Sequence, residues 1–190
     1  MLENMRRETE RLIIRPFTLD DVPALYEIIS DPEVMRYLPD DVTSPDELKE
    51  LFEWILCCYE KNTPSKLIKL TEAIVWKETG GIIGWCGLGP LDFNPDEIEI
   101  FFGLAKEYWN RGIAAEAASE MVRYGFDEIG LYRIVAVANP ENIGSVKVIE
   151  KLGMKYKGIV GKLPEKHKSY EGHLYYSVTE EGLKWKNKVI

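Results

Sequence analysis

The sequence predicts an α/β domain of the α+β type, in which helices flank one central, mixed and mostly antiparallel sheet of about six to seven strands. Three strand-like runs, at residues 67–76, 82–88 and 97–104, follow one another with short connections, as in an antiparallel meander. The nearly continuous apolar run at 132–138 lies between two helical patterns, as expected for a strand buried on both faces. Residues 1–190 suffice for one sizeable core, so we expect a single domain.

The chain begins with one predicted strand and two predicted helices. The strand covers residues 11–17. Thr18 is the expected N-cap of the first helix, which stops at Pro32. Ser44 is the expected N-cap of the second helix, because a proline follows it and Glu47 stands three residues further on. Apolar residues recur at helical spacing in both segments.

The second half of the chain changes from strands to helices and ends in a hairpin. Residues 89–95 contain two prolines and are predicted to be a loop between the second and third meander strands. A helical pattern starts at Ala114, and another starts at Asn142 and stops at Gly153. The remaining predicted elements are two strands, at 154–160 and 173–178, and a short terminal helix at 180–188.

The composition argues against some classes of function. The net charge of −8 and the pI of about 5.0 argue against a nucleic-acid-binding protein, which needs a basic surface. The acidic balance mildly favours a cationic partner such as an amine, and plain solubility is the alternative explanation. Three cysteines without a CxxC pair and only two histidines predict no metal site and a reducing compartment. No apolar run reaches the length of a membrane span, so the predicted location is the cytoplasm.

The most informative segment is the junction at residues 107–117, which reads EYWNRGIAAEA. It connects a predicted strand to a predicted helix, and the small residues Gly112, Ala114 and Ala115 stand where that helix begins. A helix N-terminus offers free N–H groups and the positive end of the helix dipole to an anion. The sequence has neither GxxxxGK(S/T) nor GxGxxG, so a nucleotide kinase or dehydrogenase site is not predicted. The junction therefore predicts a binding turn for another diphosphate.

A second motif follows the apolar strand, where residues 139–145 read NPENIGS and residues 150–154 read EKLGM. Together with the junction, these segments resemble the GNAT acyltransferases, and among them the RimJ/RimL branch of ribosomal-protein N-terminal acetyltransferases. The junction resembles that family's Q/R-x-x-G-x-G/A turn, with Trp109 in place of Gln or Arg. The second motif resembles its N-x-x-N-x-x-S segment followed by EKLGF, with Met154 in place of Phe. The segment ERLIIRP at residues 10–16 is also typical of the family.

The resemblance implies an acetyl-CoA site in a splayed sheet. The strands at 97–104 and 132–138, the fourth and fifth, would part into a V that admits the pantetheine arm as an extra strand. Asn139 and Asn142 would hold the arm near its thiol end, although both also fit a turn and a helix N-cap. The residues implied to contact acetyl-CoA are Phe102, Gly103, Leu104, Trp109, Asn110, Arg111, Gly112, Ile113, Ala114, Ala115, Asn139, Asn142 and Ser145.

Acyl transfer to an amine needs a base, an oxyanion donor and a group that stabilises the leaving thiolate. Many family members place a tyrosine before Glu-Lys-Leu-Gly for the thiolate, but here that residue is Ile149. The resemblance therefore implies Ser145 as the donor, and a local helix-capping serine is the alternative. Glu99 is implied as the base, and the alternatives are a solvated strand face or a water relay. The backbone N–H groups around residues 102–104 would bind the oxyanion.

The function implied by the resemblance is acetyl-CoA-dependent N-acetylation of a primary amine by direct transfer, without a metal. The acceptor could be a protein N-terminus, a polyamine, an amino sugar or a drug. The rival interpretation is a non-catalytic acyl-CoA-binding module. A homodimer is left open, and no nucleic-acid or membrane partner is expected. The acceptor pocket is expected to be built mostly by the first two helices and the last hairpin. Candidates to contact the acceptor, which core or surface roles would also explain, are His167, His173, Trp54, Trp76, Trp85, Tyr170, Tyr175 and Tyr176.

Overall fold

The structure, a computed structural model, describes residues 2–3, 5–38 and 44–183. Its strands are β1 Arg7–Glu8, β2 Leu12–Pro16, β3 Leu70–Trp76, β4 Ile82–Leu91, β5 Asn94–Leu104, β6 Arg133–Ala138, β7 Lys155–Ile159 and β8 Leu174–Thr179. Within the described residues they form one eight-stranded sheet in the order β1-β2-β3-β4-β5-β6-β8-β7. Neighbouring strands are antiparallel except β5 and β6, which are parallel. The predicted mixed, mostly antiparallel sheet is confirmed, with the two-residue β1 as an addition.

Helices cover both faces of the sheet because strand side chains alternate between the faces. The helices are α1 Val22–Ile29, α2 Pro32–Met35, α3 Pro45–Lys61, α4 Ile113–Asp127 and α5 Ile143–Lys151. One core lies beneath α4 and α5 and includes Leu70, Ile100 and Ile134. The other lies beneath α1 and α3, where Phe17 and Phe52 meet edge to face with ring centroids 5.0 Å apart.

The helix boundaries agree with the capping residues in the sequence. The Ser44 hydroxyl accepts a hydrogen bond from the Glu47 backbone N–H at 3.3 Å, and the Glu47 carboxylate accepts one from the Ser44 N–H at 2.8 Å. This reciprocal capping box confirms the predicted start of α3. Gly153 has a φ of +74° after α5, in the left-handed region expected of a glycine that ends a helix.

The predicted loop at residues 89–95 is wrong. Strand β4 continues to Leu91 and β5 begins at Asn94, so a tight turn at Asp92 and Phe93 connects them. The two prolines are accommodated because the register shifts between Pro90 and Leu91, and irregular positions tolerate a residue without an N–H.

Four smaller predictions are also corrected or incomplete. The strand predicted from residue 67 begins at Leu70, because the Asn62 side chain binds the Ile68 N–H and the Lys69 carbonyl outside any ladder. The helix predicted from Thr18 begins with a 3-10 turn, Leu19–Asp21, before α1. Pro32 opens the short helix α2, after α1 has ended. Of the predicted terminal helix, residues 180–182 form a 3-10 turn, and residues 184–188 lie outside the described part of the chain.

Strands β5 and β6 diverge. In the described chain they share one residue pair in register, Glu99 with Val135. The opposite edge of β5 is paired with β4 as far as Leu104, and the opposite edge of β6 is paired with β8. The C-terminal halves of the two strands are therefore held from outside while their facing edges separate. This confirms the splay predicted between the fourth and fifth strands.

A buried ion pair connects the N-terminal strand to the core. Arg7 and Glu72 are 7% and 0% exposed, and their side chains pair directly. The Arg7 guanidinium also donates to the Met5 carbonyl at 2.8 Å and lies 4.1 Å from the centroid of the Tyr124 ring on α4. Burial raises the pKa of Glu72 to about 7, and the charge of Arg7 opposes that shift. Arg7 therefore joins β1, β3 and α4.

Replacing Arg7 should destabilise the fold strongly. Arg7→Met leaves the Glu72 carboxylate buried without its cation, which typically costs about 3–5 kcal/mol. The loss should be larger at pH 9 than at pH 6, because Glu72 can become neutral by binding a proton at the lower pH. Urea unfolding measures both values. Arg6→Met is the matched control, since Arg6 is exposed and pairs with the exposed Glu8; equal losses in the two variants would contradict the account.

Candidate active site

The N-terminus of α4 is shaped by two residues in the left-handed region. Asn110 has a φ of +58° and Gly112 a φ of +75°. The first hydrogen bond of the helix runs from the Glu116 N–H to the Gly112 carbonyl at 3.1 Å. The N–H groups of Ile113, Ala114 and Ala115 therefore precede the helical hydrogen-bond pattern. The turn predicted from small residues has the geometry of an anion-binding helix N-terminus.

Trp109 fixes this turn to the end of β5. Its indole N–H donates to the Leu104 carbonyl at 2.8 Å. The Gln or Arg expected at this position has a polar side chain, whereas the Trp109 nitrogen already donates to the protein backbone. Trp109, which departs from the family motif, therefore stabilises the turn through a hydrogen bond within the protein.

A carboxylate at the first turn of α4 is neutralised by the neighbouring strand. Glu116 accepts hydrogen bonds from the Arg11 Nε at 2.7 Å, the Arg11 backbone N–H at 3.0 Å and the Thr9 hydroxyl at 2.5 Å. A second nitrogen of Arg11 donates to the Arg111 carbonyl at 3.1 Å. Arg11 thus holds both ends of the turn and offsets the negative charge nearest to the helix N-terminus.

Arg111 provides a positive charge at the turn. Its guanidinium lies 5.5 Å from the ring centroids of both Trp76 and Tyr108, and the residue is exposed. Among the described residues it has no carboxylate partner, in contrast to Arg11. The contact between Arg111 and a phosphate therefore stays a prediction from the sequence, and no carboxylate in the described residues competes for the guanidinium.

The segment after β6 presents three polar side chains where the sheet divides. The Asn139 Oδ1 accepts from the Glu141 N–H at 2.9 Å, and the Asn142 Oδ1 accepts from the Ser145 N–H at 3.0 Å. Both asparagines therefore have the turn and N-cap roles considered from the sequence. Their NH₂ groups and the Ser145 hydroxyl have no hydrogen-bond partner in the described part of the chain. Ser145 is half-buried in the first turn of α5, and local capping does not occupy its hydroxyl.

Glu99 lies on β5, where it is paired in register with Val135 of β6. Ile98, Ile100 and Phe102 point into the core beneath α4 and α5, so alternation puts Glu99 on the opposite face, as predicted. Glu97, on that same face, pairs with Arg133. Glu99 is half-buried and has no ion pair or hydrogen bond within the described residues. Burial raises its pKa to about 7, Lys69 opposes the shift and Asp92 adds to it. A freely solvated Glu99 does not fit this environment.

Lys69 and Asp92 beside Glu99 were missed from the sequence. The aliphatic chain of Lys69 crosses Gly89, where a Cβ would lie 2.7 Å from Cδ of Lys69, and Gly89 is the β4 partner of Glu99. The Lys69 ammonium lies 4.4 Å from the centroid of the Phe101 ring. The recurrence of glycine at positions 84, 87 and 89 was the available signal, since glycine inside a strand often marks a close approach.

The last hairpin contacts the β4–β5 turn. The Tyr170 hydroxyl donates to the Asp92 carboxylate at 2.7 Å, and the Tyr170 ring packs on Phe93 with centroids 5.2 Å apart. The His173 ring is 5.8 Å from Tyr170, and burial lowers the pKa of His173. The half-buried His173 therefore differs from the surface histidine expected. His167 is also half-buried, on the preceding 3-10 turn Glu165–Tyr170.

The aromatic candidates for an acceptor pocket have different surroundings. Tyr176 is 4% exposed, and Trp85 lies over Gly103, where a Cβ would be 2.3 Å from the indole ring. Trp76 packs with Tyr108 beside the α4 turn. Trp54, in contrast, is 48% exposed on α3. Burial, followed by the Glu97 carboxylate, raises the pKa of Tyr175 to about 12.

Two general properties of the described residues bear on the site. No three His, Cys, Asp or Glu side chains come together there in a way that would hold a metal ion. None of the helices described is both long and apolar enough to cross a bilayer.

The chain is similar to known acetyltransferases over most of its length. A family model described as the acetyltransferase (GNAT) domain matches residues 11–155. The chain is also similar to the uncharacterized N-acetyltransferase YnaD of Bacillus subtilis (strain 168), with 33% identity over 177 residues that cover 93% of this chain and 98% of the relative. The chain belongs to the GNAT acetyltransferase family, as its motifs predicted.

Solved structures of other acetyltransferases share the fold. A ribosomal-protein-S5-alanine acetyltransferase from Vibrio fischeri superposes with a TM-score of 0.77 and 20% identity, covering 95% of this chain and 100% of that one. A spermidine N-acetyltransferase from Vibrio cholerae, in complex with CoA and spermine, gives a TM-score of 0.73 and 18% identity, with 92% and 98% covered. At these identities the likeness establishes the fold and leaves the acceptor undecided. A structure of the ribosomal-protein type is thus among the neighbours.

The charges around Glu99 should control its ionisation in opposite directions. Lys69→Met removes a cation that stabilises the carboxylate, so the pKa of Glu99 should rise above about 7, and Asp92→Asn should lower it. A ¹³C NMR titration of the glutamate carboxyl groups measures the shift, with Glu99→Gln to assign the signal. Unchanged titration in Lys69→Met would contradict the arrangement described for this carboxylate.

Proposed function

We propose that the protein transfers the acetyl group of acetyl-CoA directly to a primary amine. The observation that carries this proposal is the open edge between β5 and β6, with Glu99 at its closed end. Both strands are followed by a helix, so α4 and α5 begin at the same, open end of the V. Ligands in such sheets bind beyond the carboxyl ends of parallel strands.

The residues at this end fit the parts of acetyl-CoA. The N–H groups of Ile113, Ala114 and Ala115, together with Arg111, would bind the diphosphate. The backbone of β5 from Phe102 to Leu104 would pair with the pantetheine amides as an added strand does. The free NH₂ groups of Asn139 and Asn142 would bind the end of the arm nearest to the sulfur. When bound, acetyl-CoA would supply an activated thioester carbonyl.

The side chains supply the proton transfers. An acceptor amine must lose a proton to attack, and Glu99, with its pKa of about 7, is suited to accept that proton near neutral pH. The Ser145 hydroxyl, which has no partner in the described residues, would donate to the departing thiolate. A backbone N–H near Gly103 would stabilise the negative charge on the carbonyl oxygen.

The motif resemblance and two fold neighbours bear on the class of amine. The motif resemblance favours a protein N-terminus, in a cytoplasmic setting, and the fold neighbour that acts on ribosomal protein S5 is consistent with it. The neighbour solved with spermine is consistent with a polyamine instead. Release of free thiol from acetyl-CoA, measured against N-terminal peptides, polyamines, amino acids and aminoglycosides, distinguishes these acceptors. Tight acetyl-CoA binding without thiol release from any of them would favour the rival binding module.

Glu99→Gln should lower kcat by about 10²–10⁴-fold, because the amide cannot accept the proton. The rise of kcat/KM through pH 7 should be lost in the same variant, since ionisation of Glu99 produces it. Glu97→Gln is the matched control on the same strand face, and its pH profile should keep that rise.

Ser145→Ala should lower kcat by about 10²-fold while acetyl-CoA binds normally. Full turnover in both Glu99→Gln and Ser145→Ala would contradict the assigned roles.

Gly112→Ala should weaken acetyl-CoA binding by roughly tenfold or more, because a methyl group at the turn keeps phosphate oxygens from the backbone. Gly130→Ala is the matched control, since the two glycines have φ of +75° and +77° and a Cβ would clash at neither, with Arg11 Nη2 3.8 Å away at Gly112 and nothing within 4 Å at Gly130. Both variants should lose about 1–2 kcal/mol of stability from the left-handed backbone. Calorimetric titration with acetyl-CoA separates them, and equal affinities would count against the phosphate site.

A further inference from the structure

A groove of about 510 Å³ lies between the outer face of α3 and the β4–β5 turn. Leu51 and Trp54 line it from the helix, Pro90 and Pro95 line it from the two strands, and Lys69 and Asp92 are its charged residues. Its volume is in the range that holds a small organic molecule.

The helix side of the groove is apolar without contributing to the core. The buried face of α3 consists of Leu48, Phe52, Ile55 and Cys58, all at most 4% exposed. Leu51 and Trp54 are 43% and 48% exposed, and their spacing of three residues makes them neighbours on the helix surface. Two large apolar side chains that meet in a concavity indicate a binding site more strongly than scattered ones do, because one ligand can cover both.

Two residues that line the groove, Lys69 and Asp92, also act by their charges on the carboxylate that would accept the proton of the amine. Lys69 crosses Gly89, which is paired in register with Glu99, so the groove and this carboxylate are one strand apart. The Asp92 carboxylate accepts a hydrogen bond from the Tyr170 hydroxyl at 2.7 Å. A molecule whose amine is near Glu99 can therefore extend its remaining part along α3.

The charges of the groove do not suit a polycation. Lys69 and Asp92 have opposite charges, so the described lining residues have no net charge. Glu97, the other carboxylate on this face of β5, already pairs with Arg133. A second ammonium group of a polyamine would be repelled by Lys69 and attracted by Asp92, whose carboxylate already accepts from Tyr170, so it would gain little. An apolar group would gain from covering Leu51 and Trp54.

We propose that this groove binds an apolar substituent of the acceptor, which would therefore be a primary amine with an aromatic or branched aliphatic group. This inference rests on the proposed function, because it names the acceptor class of the same site. The amine would lie near Glu99, and the apolar group would lie against Trp54 and Leu51. A polyamine is the acceptor class that the arrangement disfavours.

The test compares L-phenylalaninamide, L-leucinamide, glycinamide and spermidine as acceptors, by thiol release from acetyl-CoA. The first three share an α-amine and differ in the apolar group. We expect kcat/KM to be at least about tenfold higher for phenylalaninamide and leucinamide than for glycinamide. Trp54→Ala should lower the ratio for phenylalaninamide over glycinamide about tenfold. Tyr132→Ala, which removes an aromatic side chain that is 77% exposed and outside the groove, should leave the ratio unchanged.

Three results would overturn the inference while leaving the proposed function intact: equal kcat/KM for the three amides, a ratio unaffected by Trp54→Ala, or a higher kcat/KM for spermidine. Thiol release with none of the amines would count against the proposed function. In that case the binding of phenylalaninamide to the groove, measured without turnover, tests the inference. The Trp54 indole N–H signal, assigned by its loss in Trp54→Ala, should shift on titration with phenylalaninamide and not with glycinamide. An unmoved signal would overturn the inference as well.

Discussion

The separation of β5 from β6 is the constraint on which the rest of the site depends. Backbone N–H and C=O groups inside a protein need partners, and a sheet normally supplies them from the next strand. In the part of the chain that the structure describes, the two strands share one residue pair, Glu99 with Val135, and are held open by β4 and β8 on their outer edges. The separated edges are therefore fixed in position without each other's hydrogen bonds. This is the arrangement that an extended ligand with amide groups can complete.

The same divergence places the charged groups of the site. Because β5 and β6 are parallel, α4 and α5 both begin at the open end, which puts the Gly112 turn and Ser145 on the same side of the sheet. Arg11 neutralises Glu116, so the first turn of α4 keeps its positive character. Glu99 stands at the closed end, where burial keeps its pKa near 7. The proposed anion site and the proposed base, Glu99, would thus lie at opposite ends of one cleft.

Much of this could be predicted from the sequence because the informative residues act locally. Capping by Ser44, the stop at Gly153 and the small residues of the α4 turn depend on neighbours within a few positions, and the motifs added the V between β5 and β6. The loop at residues 89–95 was wrong because a register shift at Pro90, set by pairing across strands, admits the prolines. Lys69 was missed because it comes close to Glu99 only through the folding of the sheet, in which its side chain crosses Gly89 of the intervening strand β4.

Amide hydrogen exchange, measured by NMR with and without acetyl-CoA, tests the central claim most directly. The account predicts slower exchange on binding in two places, the facing edges of β5 and β6 beyond Glu99 and the first turn of α4 from Ile113 to Ala115, because the ligand would supply their missing partners. In the paired strand β2, exchange by local opening should be unaffected, and only exchange through global unfolding should slow, because binding raises the global stability. Protection from local opening that is found only elsewhere, or unchanged exchange at both places despite saturating acetyl-CoA, would contradict the claim that the splayed sheet is the binding site.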